Sequence, residues 1–163
     1  MKNAILKSII ILSGSGIMIS CNSTNRLLSK NQEKMFTADQ IKAAHSKVKS
    51  GADFPAYIRE IKELGVTHYE AYVSDGHIDY HAANDYIVKL PAKYDPLVIA
   101  ESPDKEQFET ELKAHQKGKT DFLTFIRMCA VFGIGKWQIR MDKMTCTYYD
   151  KAGNKILVEE IPQ

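Results

Sequence analysis

Little in this sequence announces chemistry. Its 163 residues include three cysteines, one tryptophan and five prolines. That is too little cysteine for a disulfide scaffold and too little proline for a fibrous or low-complexity chain. It contains no phosphate loop, no Gly-x-Ser-x-Gly elbow, no His-Glu-x-x-His and no calcium loop. Gly133-Ile134-Gly135 follows a helical pattern instead of opening one, so its role is to end a helix and not to cradle phosphate.

Charge of one sign is also missing. Lys2 and Lys7 are the only charged residues among the first 20, so cleavage there takes 22 basic residues to 20, equal to the 20 acids. A neutral mature chain lacks the electrostatic footprint of a nucleic-acid binder.

Long apolar runs are absent too. Ile9 to Leu12 is the core of the N-terminal stretch, and Gly14 and Gly16 break it before it could span a bilayer. A basic start, a short apolar core and Ser20 before Cys21 describe a lipoprotein-type export signal over residues 1–20. Met18 departs from the usual branched residue at its place. Cleavage would leave Cys21 as a lipidated first residue whose acyl chains hold the protein to a membrane. Residues 21–35 then form a polar tether. Asn22 after the cysteine points to the outer membrane, facing the periplasm, in a two-membrane cell.

Residues 36–163 read as one α+β domain with an internal duplication, 36–90 and 103–161. Residues 53–85 align without a gap on 121–153, with Asp53/Asp121, Phe54/Phe122, Ile58/Ile126, Arg59/Arg127, Gly65/Gly133 and Tyr80/Tyr148 identical. Each copy predicts two helices followed by a three-stranded meander, the two meanders joining in one antiparallel sheet with helices on one face. Thr37 and Gln40 form a capping box, and Asp53 and Asp121 cap the second helix of each copy. Ser102-Pro103 starts the third helix. Asp75-Gly76 predicts a two-residue hairpin that sets Glu70 opposite His81 and Tyr72 opposite Asp79. Residues 92–100 are a linker with room for one more short strand.

Gln116 to Phe122, Gly133 to Trp137, Met144 to Asp150 and Gly153-Asn154 resemble the YbcV-like family of small bacterial and prophage proteins, some labelled phage envelope protein. The likeness reaches upstream through Gly65, Val66 and Tyr69 to cover residues 36–162. It implies a shared fold and no assigned chemistry. Members of that family usually lack an export signal, so the Cys21 start is a departure.

One constellation of side chains stands out. His77, Asp79 and His81 alternate along one strand and face the same way, with Glu70 and His68 on the neighbouring strand. Imidazoles with carboxylates suit zinc or acid–base work. A solvated sheet face would carry the same residue types. His77 and His81 begin roughly 13 Å apart, which leaves His81, Glu70 and Asp79, with His68, as the reachable set. His45 and His115 align with Leu112 and Val48, which makes them packing residues at the core edge. Cys129 and Cys146 align with Ile61 and Ile78 and read as buried small hydrophobes, with a disulfide and then a nucleophilic thiol as the alternatives. Tyr69, Tyr80, Trp137 and Tyr148 read as inward-facing core aromatics, or as the lining of a ligand cavity.

These features predict a lipid-anchored envelope module that binds a protein or small-molecule partner without catalysis and without a cofactor. The competing expectation is a metal- or histidine-dependent enzyme built on the first hairpin. A prophage-derived structural component is a third.

Overall fold

The computed structural model describes residues 35–49 and 51–162. The segment expected to be an export signal, Cys21 and nearly all of the expected tether lie outside the described residues. Among these residues no helix is long and apolar enough to cross a membrane.

Helix α1 (Ala38–His45) starts at the predicted capping box. The Gln40 N–H donates to Thr37 Oγ1 and the Thr37 N–H to Gln40 Oε1. It buries Ile41 and Ala44. Helix α2 (Phe54–Glu63) buries Tyr57, Ile58 and Ile61, a spacing that puts all three on one side of the helix. Its start differs from the expectation. Asp53 belongs to a 3-10 turn, Gly51–Asp53, and its carboxylate accepts from the Lys49 N–H instead of capping α2. Pro55 sits in the first turn of α2, where its missing N–H goes unneeded.

Three strands follow: β1 (His68–Tyr72), β2 (Ile78–His81) and β3 (Ile87–Leu90). No strand forms in residues 92–100. That segment is held by scattered backbone bonds, among them Lys93 N–H to Asp75 C=O (2.8 Å), Leu97 N–H to Ser74 C=O (2.6 Å) and Ala100 N–H to Ala130 C=O (3.0 Å). Helix α3 (Lys105–Gln116) begins two residues later than expected, capped by Asp104, whose carboxylate accepts from the Gln107 N–H. Helix α4 (Phe122–Val131) is capped by Asp121 as the sequence predicts, with the Thr124 N–H donating at 2.8 Å. Strands β4 (Ile134–Arg140), β5 (Thr145–Asp150) and β6 (Lys155–Glu160) complete the domain.

All six strands join one open antiparallel sheet in the order β3-β2-β1-β4-β5-β6. The four helices pack on one side of it. Tyr57 of α2 meets Tyr80 of β2 through their hydroxyls (2.8 Å), Phe108 of α3 lies edge-on to Tyr148 of β5, and Phe125 of α4 lies beside Trp137 of β4. Ile58, Ile61, Val73, Cys129, Ile134 and Ile139 are fully buried between the layers. Burying such side chains contributes roughly 1.5–3 kcal/mol each.

The first hairpin corrects the predicted register. Its loop has four residues, Val73 to Gly76, closed by the Tyr72 N–H on His77 C=O. Glu70 therefore faces Asp79, and His68 faces His81. The cause is Val73, which is fully buried and donates its N–H to Gly135 C=O on β4 instead of pairing with Ile78. The slip is two residues. Strand side chains repeat with period two, so every one keeps its predicted face.

Candidate functional site

The side of the sheet away from the helices carries the predicted constellation. Its rows are His68, Glu70 and Tyr72 on β1, His77, Asp79 and His81 beside β1's other edge, and Lys136, Gln138 and Arg140 on β4. Strand alternation fixes all of them on one face.

Most polar atoms on this face already have partners. The Lys136 ammonium donates to Glu70 Oε1 at 2.7 Å, and the Tyr72 hydroxyl donates to Glu70 Oε2 at 3.1 Å. Burial raises the Glu70 pKa, but the Lys136 and Tyr72 bonds outweigh it, so the carboxyl titrates below its ordinary range. Lys89 on β3 pairs with Asp79 Oδ2 at 2.9 Å. His77 bonds Asp75 through Nδ1 at 2.5 Å and stacks on Tyr72 at 4.0 Å. Lys136 also lies over the rings of Tyr72 and Tyr149. The result is a cross-linked surface of ion pairs and flat rings.

Two atoms break this pattern. Asp79 Oδ1 and His81 Nε2 are buried without a hydrogen-bond partner among the described residues, and Asp79 is only 8% exposed. Buried polar atoms are nearly always paired, so this spot stands out on the face. His81 itself stacks on His68, 4.2 Å between centroids.

The expected ligand set does not gather here. His81 faces His68 instead of Glu70, and Glu70 turns toward Lys136. Among the described residues no three His, Cys, Asp or Glu side chains are grouped so as to hold one metal ion.

The remaining candidates sit elsewhere. His115 is half-buried, stacked on Phe125 at 4.2 Å, and its Nδ1 meets Thr120. His45 lies edge-on to Tyr57. Cys129 and Cys146 are free thiols buried against the helix-covered face. Burial pushes the Cys146 thiol up to about 12 and Cys129 higher, so neither is a ready nucleophile.

Sequence reasoning missed one feature. A cleft of about 340 Å³ opens between α1 and the end of β3, lined by Lys42, His45, Tyr80, Leu90 and Lys93 among others. Three distant segments build it, so no local motif marks it.

The architecture defines a class: an α+β protein with an open six-stranded antiparallel sheet, four helices on one face and a polar, ring-bearing surface on the other. Residues 42–160 match the family described as a protein of unknown function (DUF1398), and the chain belongs to it. No curated protein matches the chain.

Proposed function

We propose that the chain is a lipid-anchored module of the bacterial envelope that binds a protein or small-molecule partner through its uncovered sheet face, without catalysis. The observation that carries this reading is the face itself. Its charges are fixed by neighbours, with Glu70 held by Lys136 and Asp79 by Lys89. Its rings lie flat in the stacks Tyr72/His77 and His68/His81. A rigid polar platform loses little side-chain entropy when a partner lands on it. Anchoring rests on Cys21 behind the basic and apolar N-terminal pattern. The likeness to YbcV-like proteins adds a fold relationship and no chemistry.

The same reading includes descent from a duplicated half-domain. In support, each half runs helix, helix and three strands, and the first strands of the two halves, β1 and β4, lie side by side at the middle of the sheet.

Metabolic labelling with a radioactive fatty acid tests the anchor, and resonance mapping of the full-length chain against solubilised envelope material tests the platform. Expected are loss of label in Cys21→Ser and perturbations centred on His68, Tyr72 and Lys136. Undiminished label in Cys21→Ser, or perturbations confined to the helices, would overturn the corresponding half of the reading.

The unpartnered Asp79 and His81 atoms favour a second reading, a metal- or histidine-dependent activity on this hairpin. Zinc at one per chain, lost in His81→Ala, would establish it over the first.

A further inference from the structure

The cleft beside α1 lies on the helix-covered side of the sheet, apart from the open face. Its volume, about 340 Å³, falls in the range of small-molecule sites. Buried Tyr80 and Leu90 supply an apolar floor, and Lys42, His45 and Lys93 bring nitrogen to its edge. None of the described lining residues is acidic.

The cations at the edge are poorly neutralised by the chain. Lys42 reaches Asp39 only at 3.8 Å, and both side chains are largely exposed, so that pair contributes little. Lys93 forms no ion pair among the described residues, and its ammonium stands 6.0 Å from the centre of the Phe122 ring. Its backbone is nevertheless fixed. The Lys93 N–H donates to Asp75 C=O, and the hairpin loop packs so closely that a Cβ on Gly76 would come within 2.6 Å of the Tyr94 ring. A backbone-anchored lysine at the mouth of an apolar cleft is a prepared place for an anion.

The second half of the domain shows what the equivalent place holds when the chain fills it. Val88 is opposite Tyr80, and Leu157 is opposite Tyr148. Two residues further on stand Leu90 in the first half and Glu159 in the second. The Glu159 carboxylate accepts from the Tyr148 hydroxyl at 3.2 Å and from Gln116 Nε2 at 3.1 Å to each oxygen. Beside Tyr148 there is thus a carboxylate. Beside Tyr80 there are an opening, two lysines and a histidine.

We propose that this cleft binds a small carboxylic acid with a short apolar body, its carboxylate set among Lys42, His45 and Lys93 and its body against Tyr80 and Leu90. Electrostatics agree with the geometry. Burial lowers the pKa of both His45 and Lys93, and Lys93 lowers that of His45 further. A bound carboxylate reverses both effects by favouring the charged forms.

The test is a hexanoate titration of the full-length chain, followed through the His45 ring and the backbone signal of Ala92. Expected are saturable shifts, a rise in the His45 pKa on binding, and affinity at least tenfold weaker in Lys93→Gln and in His45→Gln. Lys143→Ala, in the exposed turn between β4 and β5, should bind as the unaltered chain does. Absence of saturation in the unaltered chain overturns the proposal, whatever the variants do. An equal response to hexanol, which shows an apolar groove alone, also overturns it, as does equally tight binding of inorganic phosphate.

Discussion

The imidazoles of His68 and His81 lie face to face, 4.2 Å apart with their planes 9° from parallel. Burial lowers the His68 pKa, with His81 and Arg140 adding to the effect and Glu70 and Asp142 opposing it. His45 and His115 are lowered as well, each first by burial.

A base whose pKa falls on folding binds its proton more readily in the unfolded chain, so stability rises with pH across that interval. The three histidines therefore favour the fold fully above their ordinary value of 6.5, and that contribution drains away as pH falls from 6.5 to their lower native values. The urea midpoint should drop on acidification from pH 8 through this window, before carboxylates titrate. His115→Leu, which keeps contact with Phe125, should flatten the slope. A midpoint independent of pH between 8 and 5 would contradict this account.

Thiol chemistry offers a second check. Burial holds Cys146 near 12 and Cys129 above it, so both are protonated and shielded in the native protein. Peptide-level mass spectrometry after alkylation should find both unmodified in buffer and both labelled in guanidinium. Labelling of either at the native rate of an exposed thiol would show that α4 does not cover it. Failure to label even when unfolded would reveal a disulfide.

Two glycines with the same backbone angle separate strain from crowding. Gly118 and Gly133 both have φ of +73°. A Cβ on Gly118 meets nothing within 4 Å, whereas one on Gly133 comes within 2.7 Å of the Pro103 Cα, a backbone atom that cannot swing aside. Gly118→Ala should cost about 1–2 kcal/mol, the penalty of the left-handed region alone. Gly133→Ala should cost clearly more, on the order of 3 kcal/mol or above. Equal losses in denaturant unfolding would mean that the 102–104 segment yields freely.

The Tyr57 and Tyr80 hydroxyls share one buried hydrogen bond of 2.8 Å. Tyr57→Phe should cost about 1–3 kcal/mol because it leaves a buried hydroxyl unpaired. Adding Tyr80→Phe should cost less than the sum of the single changes, since both ends of the bond are then gone. Strict additivity would show that water already serves these groups.

Much of this architecture is legible in the residues, and the misses have physical causes. Thr37 with Gln40, and Asp121, mark helix starts because their caps are local. The faces of the first hairpin are readable from alternation alone. Its register is not, because the loop length depends on Val73 bonding to Gly135, 62 residues away in sequence. Asp53 has a capping residue's chemistry but spends it on Lys49 in a turn that precedes the helix. The polar constellation could be located from sequence. Its partners could not, since Lys136 reaches Glu70 only across the β1–β4 pairing. The cleft beside α1 depends on three segments brought together by the fold, and His45 taken alone reads as packing.

The strand order has a kinetic consequence. Within each half, successive strands pair with their chain neighbours, while β1 and β4 are joined only after two intervening strands and two helices have been traversed. Closing that long loop costs entropy that short hairpins avoid. The β1–β4 seam is the strand pairing with the greatest sequence separation in the sheet, the kind of contact that topology makes slow to form. Until it closes, β1, paired only with β2, and β4, paired only with β5, each present one open edge, β1 with Tyr69 and Ala71 and β4 with Trp137 and Ile139. Two such strands can pair with another molecule as readily as with each other, so an exchanged dimer joined at this seam is the misassembly that the topology invites.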